Sequence, residues 1–434
     1  MSPQETIGEG HAAEKEFFLG VLRDLCAGRK TPKLDKLPDI PVLAQIAEAH
    51  DLGGIVYAQC RRWAEMQPGA GALRRDFLND AALSVNRADI LSDIVRAFSE
   101  AGIPVIVMKG AVLREYYPEP ALRSMGDIDL VVRPEDREES DRIMTEALGF
   151  RKFVVEPAVW SYYIDKIMVE IHGRMFYEEL SAGIDHPAYF DRVWEHCRRA
   201  PVFGILSDHL YVPDEGFHFL YLMAHTAKHV TVGGSGFRAY LDMAMAVRSA
   251  GKRTDWDRMG EELEKLGLFR FTKTCFSLCE RWFGVSMPYD KEPLDEGFCE
   301  KATAKTFADG VFGLENRENG TAGAAKDISL SADPYNVAAV KRGIRKFFPS
   351  YENMRITPWY SFVDGKPYLM PAAWAYRLGY CTVKKFRESV HFLAQPFTEK
   401  AEVVARQEFL EEWGLGAGAP EDGKQGKPEQ GIKG

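Results

Sequence analysis

The sequence predicts an α+β protein, a small mixed β-sheet flanked by N-terminal and C-terminal helical regions. Three observations predict it. Apolar residues recur at spacings of three and four from about Glu14 to Glu100 and again from about Asp214 onward, which indicates amphipathic helices on both sides. Between them lie short apolar runs bounded by turn residues, as in PVIVM, DIDLVV and IMVEIH, which read as strands. The chain of 434 residues also exceeds the usual size of one core, so two or three domains are expected.

In chain order, FFLGVLRDLCAG and ADILSDIVRAFSEAG belong to an N-terminal helical region, 1–100. A sheet unit, 101–175, follows. It starts with the strand PVIVM, a turn at Lys109-Gly110 and a helix over KGAVLREYY. The next strand covers roughly 126–132. After it, Pro134 suits a first helical position, acidic residues fill the first turn where the helix dipole favours them, and Gly149 suits the stop. FRKFVVE, VWSYYI and KIMVEIHG are three further strands, the last two joined by a turn at Asp165-Lys166. Helices return in 176–314 as a bundle containing EGFHFLYLMAHTAKHV and FRAYLDMAMAVRSAG. The polar, Gly/Ala-rich stretch 315–337 reads as a mobile loop, 338–413 as a C-terminal helical region and 414–434 as a disordered tail.

A formal charge of −9 and a pI near 5.7 argue against a chain built to coat nucleic acid. The seven cysteines are scattered without a CxxC pair, which fits free thiols in a reducing compartment. The N-terminus lacks the basic start and apolar run of a signal peptide. No stretch approaches the ~20 apolar residues that cross a bilayer. A cytoplasmic protein with no membrane partner is expected.

Chemistry concentrates in the middle. Strand side chains alternate between faces, so Asp127 and Asp129 of RSMGDIDLVV point the same way, while Ile128 and Leu130 point the other. Two carboxylates so close, and partly desolvated, keep their protons unless something positive sits between them. In IMVEIHG, Glu170 and His172 likewise share a face. If the two strands are neighbours, three carboxylates converge, and such a set can hold two Mg²⁺ (or Mn²⁺) ions, hard cations that prefer oxygen ligands. Paired ions clamp the attacking and leaving oxygens of a phosphoryl displacement.

VMKG, then RSMGDIDLVV, then VEIH resembles the DNA polymerase β-like nucleotidyltransferase superfamily, and more closely the bacterial uncharacterised nucleotidyltransferase family proteins. The likeness covers roughly residues 35 to 390, including MAHTAKH, FRAYLDMAMAV, FFPS and PYLMPAAWAYRLG. It implies a nucleotidyltransferase sheet core in which Asp127 and Asp129 bind both metals and Glu170 completes the set and helps draw off the acceptor's proton. It further implies that Gly110 lets the phosphates of a nucleoside triphosphate approach the start of a helix. The superfamily usually has Gly-Ser at that turn, whereas this chain has Lys109-Gly110. Lys109, Arg123 and Ser124 are therefore the candidates for holding the triphosphate, with surface ion pairing as the plain alternative for the two cations.

His218, His225 and His229, spaced by seven and four, fall on one helical face. Three readings follow: packed histidines at a helix interface, a lining of the cleft opposite the carboxylates that includes His172, or a zinc site with Asp242. The last would make the chain a zinc-dependent hydrolase, yet HTAKH carries Thr226 where an HExxH motif needs Glu. KRGIRKFF and VKKFRES are basic and aromatic, fit either for RNA or another anionic acceptor or for a solvated helix face. The leading expectation is a Mg²⁺-dependent transfer of a nucleoside monophosphate to an unidentified acceptor (small molecule, RNA or protein) with release of pyrophosphate. Its rivals are the zinc hydrolase and a non-catalytic nucleotide-binding or scaffold protein.

Overall fold

Four amphipathic helices open the computed structural model: α1 (Ala12–Cys26), α2 (Ile40–Ala49), α3 (Gly53–Ala64) and α4 (Ala70–Glu100). The structure describes residues 10–155, 159–250, 254–290, 292–311, 321–331, 333–351, 354 and 358–416. Asp39 caps α2 by accepting from the Val42 amide, and Pro41 sits in the first turn, where its missing N–H costs nothing. The 31-residue α4 buries Ala70 and Leu73 in its first turns and Leu91, Ile94, Val95 and Phe98 in its last. The two ends belong to different cores.

The sheet begins with β1 (Val105–Met108) and, after the single turn α5 (Gly110–Leu113), β2 (Asp127–Val131). The helix expected over 134–148 is a composite: a 3₁₀ turn at Pro134–Asp136, α6 (Arg137–Arg142) and a π-helical last turn at Ile143–Ala147. β3 (Arg151–Val155), β4 (Val159–Ile164) and β5 (Ile167–His172) follow, as anticipated, with the β4–β5 turn at Asp165-Lys166. Residues 176–214 depart from the helical reading. Beyond the short α7 (His186–Phe190) the chain adds β6 (Cys197–Arg199) and β7 (Leu210–Pro213) to the same sheet, whose order is β3-β4-β5-β2-β1-β7-β6. β2 runs parallel to β5 and antiparallel to β1, and β1 runs parallel to β7, so the sheet is mixed. LYVP was too short, and CRR too polar, to stand out as strands.

The sheet separates two cores by simple alternation. Ile106, Met108 and Val131 join the large helical core, whereas Val105, Val107, Ile128, Leu130, Val169 and Ile171 join the core that α4 covers with Leu91 to Phe98. Asp127, Asp129, Glu170 and His172 are in phase with the first set. They open toward the helical body.

That body comprises α8 (Glu215–Val232), α9 (Phe237–Ala250), α10 (Trp256–Lys265), α11 (Phe269–Phe283) and α12 (Glu296–Asp309). Within 315–337, expected to be a mobile loop, Thr321–Ser329 instead forms α13, because Ala322, Ala324, Ala325 and Ile328 are small enough and apolar enough to bury one helical face. Residues 312–320 lie outside the described residues. The chain continues through α14 (Tyr335–Phe347), α15 (Met370–Val383) and α16 (Phe386–Thr398). α17 (Lys400–Glu412) returns to the main body, placing Leu410, Trp413 and Leu415 in its core. Burial of Leu415 corrects the first residues of the expected disordered tail, while 417–434 lie outside the described residues.

Candidate active site

The acids are set by strand register. β2 and β5 pair so that Asp129 stands directly beside Glu170, and Asp127 beside Met168. Met108, the last residue of β1, flanks Asp129 on the other side. The next residue, Lys109, turns the chain at φ 51°, ψ −128°, a backbone conformation that favours glycine. That turn brings the Lys109 ammonium onto Asp129 Oδ1 at 2.6 Å. Strain held at such a position marks a place where the geometry matters.

On the opposite side His172 Nε2 donates to the same Oδ1 at 3.0 Å and lies 3.4 Å from Glu170 Oε2. The His172 Nδ1 is buried without a hydrogen-bond partner among the described residues. Ligand atoms of Asp129, Glu170 and His172 all fall within 4.8 Å of one another, and this is the one such group of His, Cys, Asp or Glu among the described residues. Asp127, one pleat away on the same face, lies just outside that group.

Environment drives the two aspartates apart. Burial, reinforced by the Asp129 charge, pushes the Asp127 carboxyl up to about 6, with Lys109 only partly opposing it. Burial would raise Asp129 as well, but the Lys109 ammonium and the His172 hydrogen bond outweigh it and bring Asp129 down to about 2. The positive partner that two adjacent aspartates require is thus supplied, in this structure, by the chain's own lysine. Although burial disfavours its charge, Lys109 is held well above its ordinary value by Asp129, Tyr221 and Asp127.

Three residues expected at the phosphates have partners of their own. Arg123 is not directed at the carboxylates: its Nη2 and Nε grip Asp242 at 2.5 and 3.1 Å, and Tyr117 OH donates to the same carboxylate at 2.7 Å. Ser124 Oγ donates to the Asp51 carbonyl at 2.5 Å. Gly110 has a packing reason to lack a side chain, since a Cβ there would meet Arg123 Nη1 at 2.7 Å and Met125 Cβ at 3.1 Å. The single turn α5 that it opens is also too short to carry a sizeable helix dipole.

The histidine helix divides. α8 is capped by Asp214, which accepts from the Phe217 amide at 2.8 Å. His225 Nε2 and His229 Nε2 are 3.0 Å apart, and the Tyr221 and His225 rings stack at 5.6 Å. Burial, His229 and the Lys109 charge push His225 well below the ordinary histidine range, so it is uncharged at neutral pH. His218 is set apart: it is buried, its Nε2 has no partner among the described residues, and burial lowers it to about 4. Asp242 is engaged by Arg123 and Tyr117, and among the described residues it forms no ligand group with these histidines.

Tyr221 and Ser161 were not anticipated. Tyr221 is buried where its hydroxyl feels the charges of Lys109, Asp129, Asp127 and Glu170, and Ser161 Oγ reaches Glu170 Oε1 at 3.4 Å. Ser161 was within reach of the sequence, because the two-residue turn at 165–166 pairs Ile164 with Ile167 and therefore Ser161 with Glu170.

No curated protein shows significant similarity to the chain. Among solved structures, the crystal structure of ANT(2")-Ia in complex with adenylyl-2"-tobramycin is 16% identical, with a TM-score of 0.30, covering 42% of this chain and 94% of that one. The solution structure of the antibiotic-resistance factor ANT(2'')-Ia is 15% identical, with a TM-score of 0.30, covering 46% of this chain and 97% of that one. The profile of one family, described as uncharacterised nucleotidyltransferase, matches residues 37–284, more than half of the chain and every carboxylate described above. The chain belongs to that uncharacterised nucleotidyltransferase family and is a transferase.

Proposed function

We propose that the protein transfers a nucleoside monophosphate from a nucleoside triphosphate to an acceptor, releasing pyrophosphate, at the face formed by Asp127, Asp129 and Glu170. The observation that carries this reading is the register of β2 against β5, which sets Asp129 beside Glu170 with Asp127 in phase. The donor set fits a hard divalent cation: clustered carboxylate oxygens with one imidazole. Asp127, Asp129 and Glu170 would hold Mg²⁺ or Mn²⁺, which when bound polarises the α-phosphate and neutralises the leaving pyrophosphate.

The chain's own groups account for the rest. Lys109 keeps Asp129 ionised in a buried setting and presents positive charge where the triphosphate would lie. Glu170, partly open and beside His172, would take the acceptor's proton as the oxygen or other nucleophile attacks the α-phosphate. His225, uncharged at neutral pH, and its neighbour His229 on α8 would form the opposite wall, against which a polar acceptor could hydrogen-bond.

The test is incubation with each triphosphate labelled at the α-phosphate, Mg²⁺ or Mn²⁺, and a cell extract. Label should move to an acceptor with the parent protein and fall at least ~100-fold with Asp129→Asn or Glu170→Gln, the scale expected when an electrostatic contributor to the transition state is lost. Transfer that persists in both variants removes the proposed site.

A further inference from the structure

The region built from α14, α15 and α16 is inside out. Its helices bury mainly small or polar residues, Ala338, Ala339, Arg342 and Gly343 on α14, Ala373 and Cys381 on α15, and Ser389, Gln395 and Pro396 on α16, with Met370 the large apolar exception. Many of their large apolar residues face outward. On α14 and its C-terminal cap these are Val337, Val340, Ile344 and Phe348, on α15 Tyr376, Tyr380 and Val383, and on α16 Phe386, Val390, Leu393 and Phe397. Exposure runs from 42% at Leu393 to 76% at Val383. Each set is spaced by three or four residues, so each is a stripe along one face of its helix. Scattered exposed apolar residues need no explanation, but three outward stripes on adjoining helices do. The helices do adjoin: Arg377 Nε donates to the Lys346 carbonyl at 2.8 Å, and the Arg342 guanidinium lies 3.7 Å from the centre of the Phe392 ring.

Charge identifies what covers this face. Residues 335–397 contain ten Lys and Arg against three Asp and Glu, in a chain whose net charge is −9. Lys341 and Arg345 border the α14 stripe, and Lys384, Lys385 and Arg387 stand between the α15 and α16 stripes. A second copy docked through the same face would set positive charge on positive. Nucleic acid would use the cations and rings, but gains nothing from exposed Val340, Val383, Val390 and Leu393. Aliphatic stripes edged by Lys and Arg, with Trp359, Tyr368, Tyr376 and Tyr380 also exposed, have the composition of surfaces that settle into the headgroup layer of an anionic bilayer.

We propose that the α14–α16 face is a membrane-surface docking site that binds anionic lipid headgroups peripherally. No helix among the described residues is long and apolar enough to cross a membrane, and surface attachment requires none. The acidic remainder of the chain would be repelled by the same bilayer, which orients the molecule with this face down.

The experiment is co-sedimentation of the full chain with vesicles of phosphatidylcholine alone or mixed with phosphatidylglycerol. The parent protein should partition at least ~10-fold more strongly onto the mixed vesicles, and the V383E/F386E double variant should lose at least ~10-fold of that partitioning. Both residues point outward, so the variant should keep the parent's circular dichroism; if it does not, V340E/Y376E takes its place. The proposal is overturned by equal partitioning onto the two vesicle types, by variants that bind as well as the parent, by a lipid-free dimer that the variants abolish, or by RNA retention without vesicle binding. None of these readouts depends on nucleotidyl transfer.

Discussion

Asp127 and Asp129 are two residues apart on one strand, yet they titrate in opposite directions, and the difference lies in which of them Lys109 reaches. Pairing holds Asp129 at about 2, below an unfolded aspartate, so its contribution to stability is present above pH ~4 and is lost as the pH falls toward 2. Asp127, at about 6, behaves in the reverse sense: folding must take up its proton between pH ~4 and ~6, and above that range the fold carries the full penalty of an ionised, partly buried carboxylate. Asp127→Asn is therefore expected to stabilise the metal-free protein by about 1–3 kcal/mol at pH 7 to 8, a gain that shrinks through pH 6 to 4 and vanishes below. Thermal melts across that range check it, and an unchanged or lowered melting temperature at pH 8 refutes it. The sequence showed that these acids share a face, because alternation is a local property. It did not show that Lys109 would complete the pair, since that depends on β1 lying next to β2 and on a lysine adopting a backbone conformation that usually belongs to glycine.

At the scale of elements, strands were legible where apolar runs were long enough to be buried on both sides, as in β1, β2 and β5. They were not legible at β6, whose Arg198 and Arg199 sit on an exposed edge and carry no burial pattern. Arg123 was ambiguous for a related reason: a cation near a phosphate site looks the same in sequence whether it meets a ligand or a carboxylate 119 residues away. Its pair with Asp242 ties the segment before β2 to α9, and Tyr117 ties the end of the α5 segment to the same carboxylate. Breaking one side of a buried pair leaves a charge without compensation and typically costs about 3–5 kcal/mol, whereas replacing both partners with apolar residues removes the desolvation penalty too. Asp242→Ala should lower the unfolding free energy from urea titration by an amount in that range, and the Arg123→Met/Asp242→Leu double variant should recover most of it. If the double variant is no better than the single one, the pair is specifying the approach of α9 to the sheet through its geometry rather than merely balancing charge.

The whole molecule is organised by elements that belong to two places at once. α4 enters the large helical core at Ala70 and Leu73 and leaves in the sheet's outer core at Phe98, so the N-terminal helices and the sheet share a single long helix. α17 performs a similar service from the other end. Trp413 packs edge-on to Phe298 at 5.7 Å and lies 5.9 Å from Tyr240 and 6.2 Å from Phe271, while the Arg406 Nη2 donates to the Val230 carbonyl at the end of α8. By contrast, α14, α15 and α16 bury mainly small or polar residues, with Met370 and Ala373 in a small cluster beside Met354, Tyr360 and Val363, and have apolar surfaces that no described part of the chain covers. Opening free energies follow the apolar area that opening exposes, so the molecule should not open uniformly. Native-state hydrogen exchange is expected to show α8, α9 and α11 exchanging only through global unfolding, and α15 and α16 exchanging at least ~100-fold faster, since their burial is that of a far smaller core. Anionic vesicles should slow exchange in α14 to α16 and leave α8, α9 and α11 unchanged. Uniform exchange across the chain would mean that these helices draw their stability from the main core, and the physical case for an uncovered face on them would fail with it.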